Sequence, residues 1–160
     1  KETDPAKRAY LLNHFLEGFR TTVFRQTLFA EFERKAHDLN QQGVPLTAEI
    51  LNKTYRELNE LYYNGAVVDE LQDIEWARIP HFYRAFYVYQ YATSFCASVA
   101  VVRNILETGD ASKYLEFLAT GGSDYPINEL KIAGIDMTDP AVIQNAMKEM
   151  DSELEGLLLK

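Results

Sequence analysis

One cysteine, Cys96, stands in 160 residues, so no disulfide can form within the chain and cross-linked secreted scaffolds are excluded. A lone thiol suits a reducing compartment, and the expected location is the cytoplasm. No apolar run reaches the roughly 20 residues that cross a bilayer, and the opening residues lack the pattern of a signal peptide. Basic residues are few: 16 Lys and Arg against 24 Asp and Glu give a formal charge of −8. No local basic cluster offsets it, which argues against electrostatic binding of nucleic acid and against docking on an anionic membrane. Neither H-E-x-x-H nor the paired E-x-x-H of carboxylate-bridged metal bundles occurs, so no metal ligand is assigned to any residue. Gly121-Gly122-Ser123 lacks the lysine of a phosphate-binding loop and reads as a turn. No stretch alternates as a strand does.

What remains is a succession of helix signals in a chain of ordinary globular composition, 47% hydrophobic and 25% charged. Thr3-Asp4-Pro5 pairs an N-cap with proline at the first helical position. From there to Gln41 an apolar stripe keeps helical period, predicting one helix roughly 50 Å long. Such a helix is expected to pack against something outside this chain, with Phe24 and Phe29 pointing the same way. Gly18 marks a close helix–helix approach. Thr47 caps a second helix, with Leu46 and Leu51 as a hydrophobic staple and Leu51, Tyr55, Leu58 and Tyr62 along one face. Asp69 and Gln72 predict a third helix through Trp76 that ends before Pro80. A tyrosine-rich stretch then runs into a long apolar helix ended by Gly109. A short helix over 111–118, another reaching Gly134, and a last one begun by Thr138-Asp139-Pro140 and running to the C-terminus follow. The expected fold is all-α, one domain over residues 1–160 with about seven helices, the first long and the central one long and aromatic-rich.

The stretch Ile79–Cys96, IPHFYRAFYVYQYATSFC, concentrates the chemistry. It holds His81 and four of the ten tyrosines, Tyr83, Tyr87, Tyr89 and Tyr91. A buried tyrosine needs a partner for its hydroxyl, and donors gathered beside a histidine suit a developing negative charge. On a regular helix Tyr83, Tyr87 and Tyr91 share a face. Six positions turn through about 600°, so His81 joins Tyr87 only from a connection ahead of the helix, which Pro80 favours. The competing reading is an aromatic helix packed in a core, and residue types alone favour it. Glu33 and His37, four apart, read as a solvated helix face, His14 and Glu17 as incidental, and Cys96 as a buried inert thiol.

A resemblance adds to this. IPHFYRAFYVYQYATSF, then ILETGDASKYLEFLATGGSDYPINELKIAGIDMTDP, and upstream LLNHFLEGFRTTVFRQTLFAEFE and EWARIPHFY, resemble the C-terminal part of the oligoendopeptidase F group, within the thimet-oligopeptidase-like family of zinc metallopeptidases. The resemblance spans essentially the whole chain. It implies a helical region of a longer enzyme that cuts short peptides, with the zinc-binding motif upstream, no zinc held by this chain alone, and no activity in isolation. The opening on Lys1 fits such a piece. By the same resemblance Tyr87 and Tyr91 stabilise the oxyanion, His81 donates to that oxygen or to the substrate backbone, and Tyr83 and Tyr89 bind substrate or stand in for the two tyrosines. Animal thimet-type members carry a glycine-rich loop after the histidine, whereas Phe82–Tyr91 contains no glycine. The implied partners are short peptides and the upstream portion of the same protein, and an exposed aromatic strip is expected to favour self-association. The alternative is a stand-alone helical interaction domain or a small-ligand-binding module without catalysis.

Overall fold

A computed structural model describes residues 2–158, and among these all regular structure is helical: seven α-helices, one π-helical turn and three short 3₁₀ turns. The α-helices are α1 (Pro5–Gly18), α2 (Arg25–Gln41), α3 (Ala48–Tyr62), α4 (Tyr89–Thr108), α5 (Ser112–Thr120), α6 (Pro126–Ile132) and α7 (Ala141–Leu158). The expected continuation of the last helix through residues 159 and 160 lies outside the described residues. Capping follows the sequence signals. The Asp4 carboxylate accepts from the Ala6 and Lys7 amides ahead of α1, and the Thr47 hydroxyl accepts from the Ile50 amide at 3.3 Å. These side chains satisfy donors that a helix start leaves unpaired. Gly109, at φ 70°, ends α4 in the left-handed conformation that glycine adopts at little cost.

Two expectations are corrected. The helix expected over residues 5–41 is helical throughout, with a π-helical turn, Phe19–Phe24, inside it, but Phe29 belongs to the chain's own core, not to an outside partner. The third helix is instead a pair of 3₁₀ turns, Glu70–Gln72 and Glu75–Arg78. Asp69 does cap its turn, accepting from the Leu71 amide, but the helical run is interrupted between Gln72 and Glu75.

The chain divides into two compact units. In the unit of residues 20–92, Leu28, Phe29 and Phe32 of α2 pack with Tyr55 and Leu58 of α3 and with Ile79 and Val88. Phe32 meets Tyr55 edge-on at 5.2 Å between ring centroids, and Phe29 meets Phe82 at 5.8 Å. Each such buried side chain contributes about 1.5–3 kcal/mol, which fixes the connection from Trp76 to Val88 on the α2–α3 pair. The other unit joins residues 1–19 to 93–160. There α1 packs on α7 and α5 on α6, while Ala97 and Val101 of α4 meet Ala133 and Ile135. Phe19, fully buried, touches Phe15 and Phe95 edge-on. Gly18 is the expected close approach: a Cβ there would stand 3.4 Å from the Phe95 ring.

Candidate functional site

The approach to His81 is held from within the core. In the turn Glu75–Arg78 the Glu75 carboxylate accepts from the Tyr55 hydroxyl at 2.6 Å, from Arg25 at 2.6 Å and from Arg78. Burial pushes the Glu75 carboxyl up, but the bonds from Tyr55 and Arg25 outweigh it and the net shift is downward. Burial, reinforced by Glu75, raises the Tyr55 phenol far above its ordinary range. Trp76 Nε1 donates to Asn52 at 2.8 Å, and Arg56 holds Asp73 at 2.9 Å. Ile79, buried and extended at φ −81° and ψ 108°, takes the conformation a following proline enforces. His81 then lies in the 3₁₀ turn Pro80–Tyr83.

His81, Tyr87 and Tyr91, all half-buried, come together. The imidazole lies parallel to the Tyr87 ring at 5.7 Å between centroids and edge-on to Tyr91 at 5.4 Å, and the two tyrosines meet at 5.6 Å. His81 Nε2 is 3.0 Å from the Tyr91 hydroxyl. The Tyr91 hydroxyl donates toward the Tyr87 oxygen at 3.5 Å, the long limit of a hydrogen bond. The roles in the His81–Tyr91 contact depend on the imidazole tautomer, and each phenol has one proton to give. Nδ1 of His81 is buried with no hydrogen-bond partner among the described residues. The hydrogen bond with the Tyr87 hydroxyl, with some burial, raises the Tyr91 phenol.

The sequence placed His81 in the connection, and the structure does so too. It placed Tyr83 and Tyr87 on the helix with Tyr91, and here the structure differs: α4 begins at Tyr89, Tyr83 closes the 3₁₀ turn, and Tyr87 belongs to the loop between. Tyr83 is 87% exposed and joins Phe32, Trp76 and Phe82 around a separate cavity of about 330 Å³. Tyr89 is 52% exposed at the start of α4. The trio is thus assembled by a loop, with helical spacing contributing only Tyr91.

Sequence reasoning missed what shapes that loop. Phe86 is the one non-glycine residue with positive φ among the described residues, at 55°. Its amide donates to Glu33 Oε1 at 2.8 Å, and its ring meets His37 at 4.6 Å between centroids. Glu33, read as solvated, is buried, because the loop folds back over that part of α2. The sequence carried no signal for it: with no glycine over 82–91, nothing marks Phe86 as the residue that enters the left-handed region.

Among the described residues no three His, Cys, Asp or Glu side chains come together as metal ligands. The zinc implied by the family resemblance therefore does not fit these residues as a set. Cys96 is buried in α4, and burial pushes its thiol up.

An all-helical chain with a histidine–tyrosine cluster in a core-anchored connection belongs, by comparison, to a family of peptidases. Residues 1–149 match the family described as peptidase family M3, and the chain is a member of it. It is similar to an oligopeptidase PepF of Bacillus subtilis (strain 168), 50% identical over 163 residues, covering 98% of this chain and 24% of that protein. A plasmid-borne oligoendopeptidase F of Lactococcus lactis subsp. cremoris is 48% identical over 164 residues, covering 98% of this chain and 27% of that protein. The crystal structure of oligoendopeptidase-F from Enterococcus faecium superposes with a TM-score of 0.94 at 48% identity, over 98% of this chain and 31% of that one. The chain thus spans about a quarter of the length of these curated relatives.

Proposed function

We propose that this chain is the C-terminal helical part of a cytoplasmic metallo-oligoendopeptidase and supplies groups that steady the transition state of peptide-bond hydrolysis. One observation carries the reading: His81, Tyr87 and Tyr91 converge, with His81 Nε2 3.0 Å from the Tyr91 hydroxyl and that hydroxyl 3.5 Å from the Tyr87 oxygen. When the scissile carbonyl becomes tetrahedral its oxygen gains negative charge, and a pre-oriented neutral hydroxyl stabilises that charge without reorganising. Tyr87 is the donor to this oxygen, Tyr91 polarises it, and His81 orients Tyr91. Tyr83 and Tyr89, both exposed, contact the peptide. Zinc is held by residues outside this chain, and none of these roles passes through it.

Accordingly, the 160-residue chain alone binds no stoichiometric zinc by elemental analysis and cleaves no quenched fluorescent peptide. In the intact peptidase, His81→Ala lowers kcat at unchanged zinc content and nearly unchanged KM. Zinc bound one-to-one by the chain alone, with chelator-sensitive cleavage, would sink the division of labour. A kcat indifferent to His81→Ala would return the trio to core packing.

A further inference from the structure

The geometry points to Glu33 as a positioning residue, acting with His37 through the left-handed turn at Phe86 to hold Tyr87 against His81; its consequence for catalysis rests on the function proposed above. Phe86 at φ 55° occupies a region that residues with a Cβ populate roughly tenfold less readily than glycine. A bulky aromatic stays there only if its surroundings over-determine it. Two contacts from one face of α2, four residues apart, do so. The buried Glu33 carboxylate accepts the Phe86 amide at 2.8 Å, and the His37 ring lies against the Phe86 ring at 4.6 Å. Phe86 directly precedes Tyr87, so the turn sets where the Tyr87 ring departs from the backbone. Beyond it, fully buried Val88 pins the loop to the core, and Arg84 lies over the Tyr87 ring at 4.9 Å. Without the Glu33 anchor, Phe86 can relax to negative φ, and the parallel contact between Tyr87 and His81 is lost while helices α2 and α3 persist. Glu33 thus does for this loop what glycine does where a left-handed turn carries no Cβ.

This predicts a rescue that a merely structural carboxylate would not show. NOE cross-peaks between the His81 and Tyr87 rings, measured in the chain with labelled His and Tyr, are present in the wild type. They fall at least threefold in Glu33→Ala. They are retained in Glu33→Gln, whose amide oxygen still accepts, and they return in the double variant Glu33→Ala/Phe86→Gly, where the left-handed turn costs nothing. Unchanged cross-peaks in Glu33→Ala, or a double variant as weak as Glu33→Ala, overturn the assignment. Should Glu33→Ala not fold, exchange of the Phe86 amide decides. Protection in the wild type and in Glu33→Gln supports the anchor, and exchange at an open-loop rate in the wild type refutes it. In the intact peptidase, Glu33→Ala should lower kcat about tenfold with KM held, and Phe86→Gly should restore it. The expected cross-peaks with an unmoved kcat keep the positioning and remove Tyr87 from the chemistry.

Discussion

Tyr55→Phe tests how the core holds the approach to His81. The substitution deletes one oxygen from a fully buried ring and leaves no sizeable cavity, so packing is nearly constant. What is lost is the 2.6 Å bond to Glu75, a charged acceptor whose side chain is 9% exposed. Hydrogen bonds to charged groups contribute about 1.5–3 kcal/mol. Glu75 keeps Arg25 and Arg78, so its charge stays paired and the expected loss is about 2 kcal/mol. Trp76, the single tryptophan, lies 6.2 Å from Phe32 within the same core and reports its unfolding by fluorescence. With a urea slope of roughly 2 kcal/mol per molar, the midpoint should fall by about 1 M with the slope unchanged. The pH dependence has a definite sign. The folded Glu75 carboxyl lies below its unfolded value, so its contribution is complete above the unfolded pKa, about 4.3. It is lost as pH falls through the folded pKa. The gap between wild type and Tyr55→Phe is therefore constant near neutrality and narrows in acid. A loss under about 0.5 kcal/mol, or a gap that widens in acid, would refute the argument.

Further outcomes follow from single contacts. Thr47→Ala removes the acceptor for the Ile50 amide and should cost about 1 kcal/mol in denaturant unfolding, whereas Thr47→Ser should cost little. Cys96, 1% exposed with a raised thiol pKa, should react with a thiol-specific disulfide reagent only as fast as the chain opens. Immediate reaction at neutral pH would contradict its burial.

Much of the fold was legible because its signals are local. Asp4, Thr47, Asp69 and Asp139 each accept from amides at the starts where their spacing placed them. Gly18 meets Phe95 as a small residue at a helix contact should. Periodicity failed where tertiary contacts overrode it. Phe29 looks outward on the stripe of one long helix, but it is covered by Tyr55 and Phe82, which arrive from later in the chain. Tyr83, Tyr87 and Tyr91 have perfect helical spacing, yet only Tyr91 is helical, since Pro80 and the left-handed Phe86 break the run ahead of α4. Glu33 could not be read as buried because its partner is a backbone amide 53 positions away. The resemblance named the histidine and two tyrosines that do converge, but the loop that joins them has no signature in the sequence.

The central claim is that membership of the trio, and not tyrosine content, decides function. The most direct measurement compares Tyr87→Phe with Tyr83→Phe in the intact peptidase, with kcat and KM for a short fluorogenic peptide and zinc content for each. Loss of a hydroxyl aimed at the developing oxyanion predicts a fall in kcat of about 10²–10³, or about 2.7–4 kcal/mol, for Tyr87→Phe. Zinc content should be unchanged, and Tyr83→Phe, 87% exposed and outside the trio, should alter KM more than kcat. Equal and small effects of the two substitutions on kcat would contradict the account.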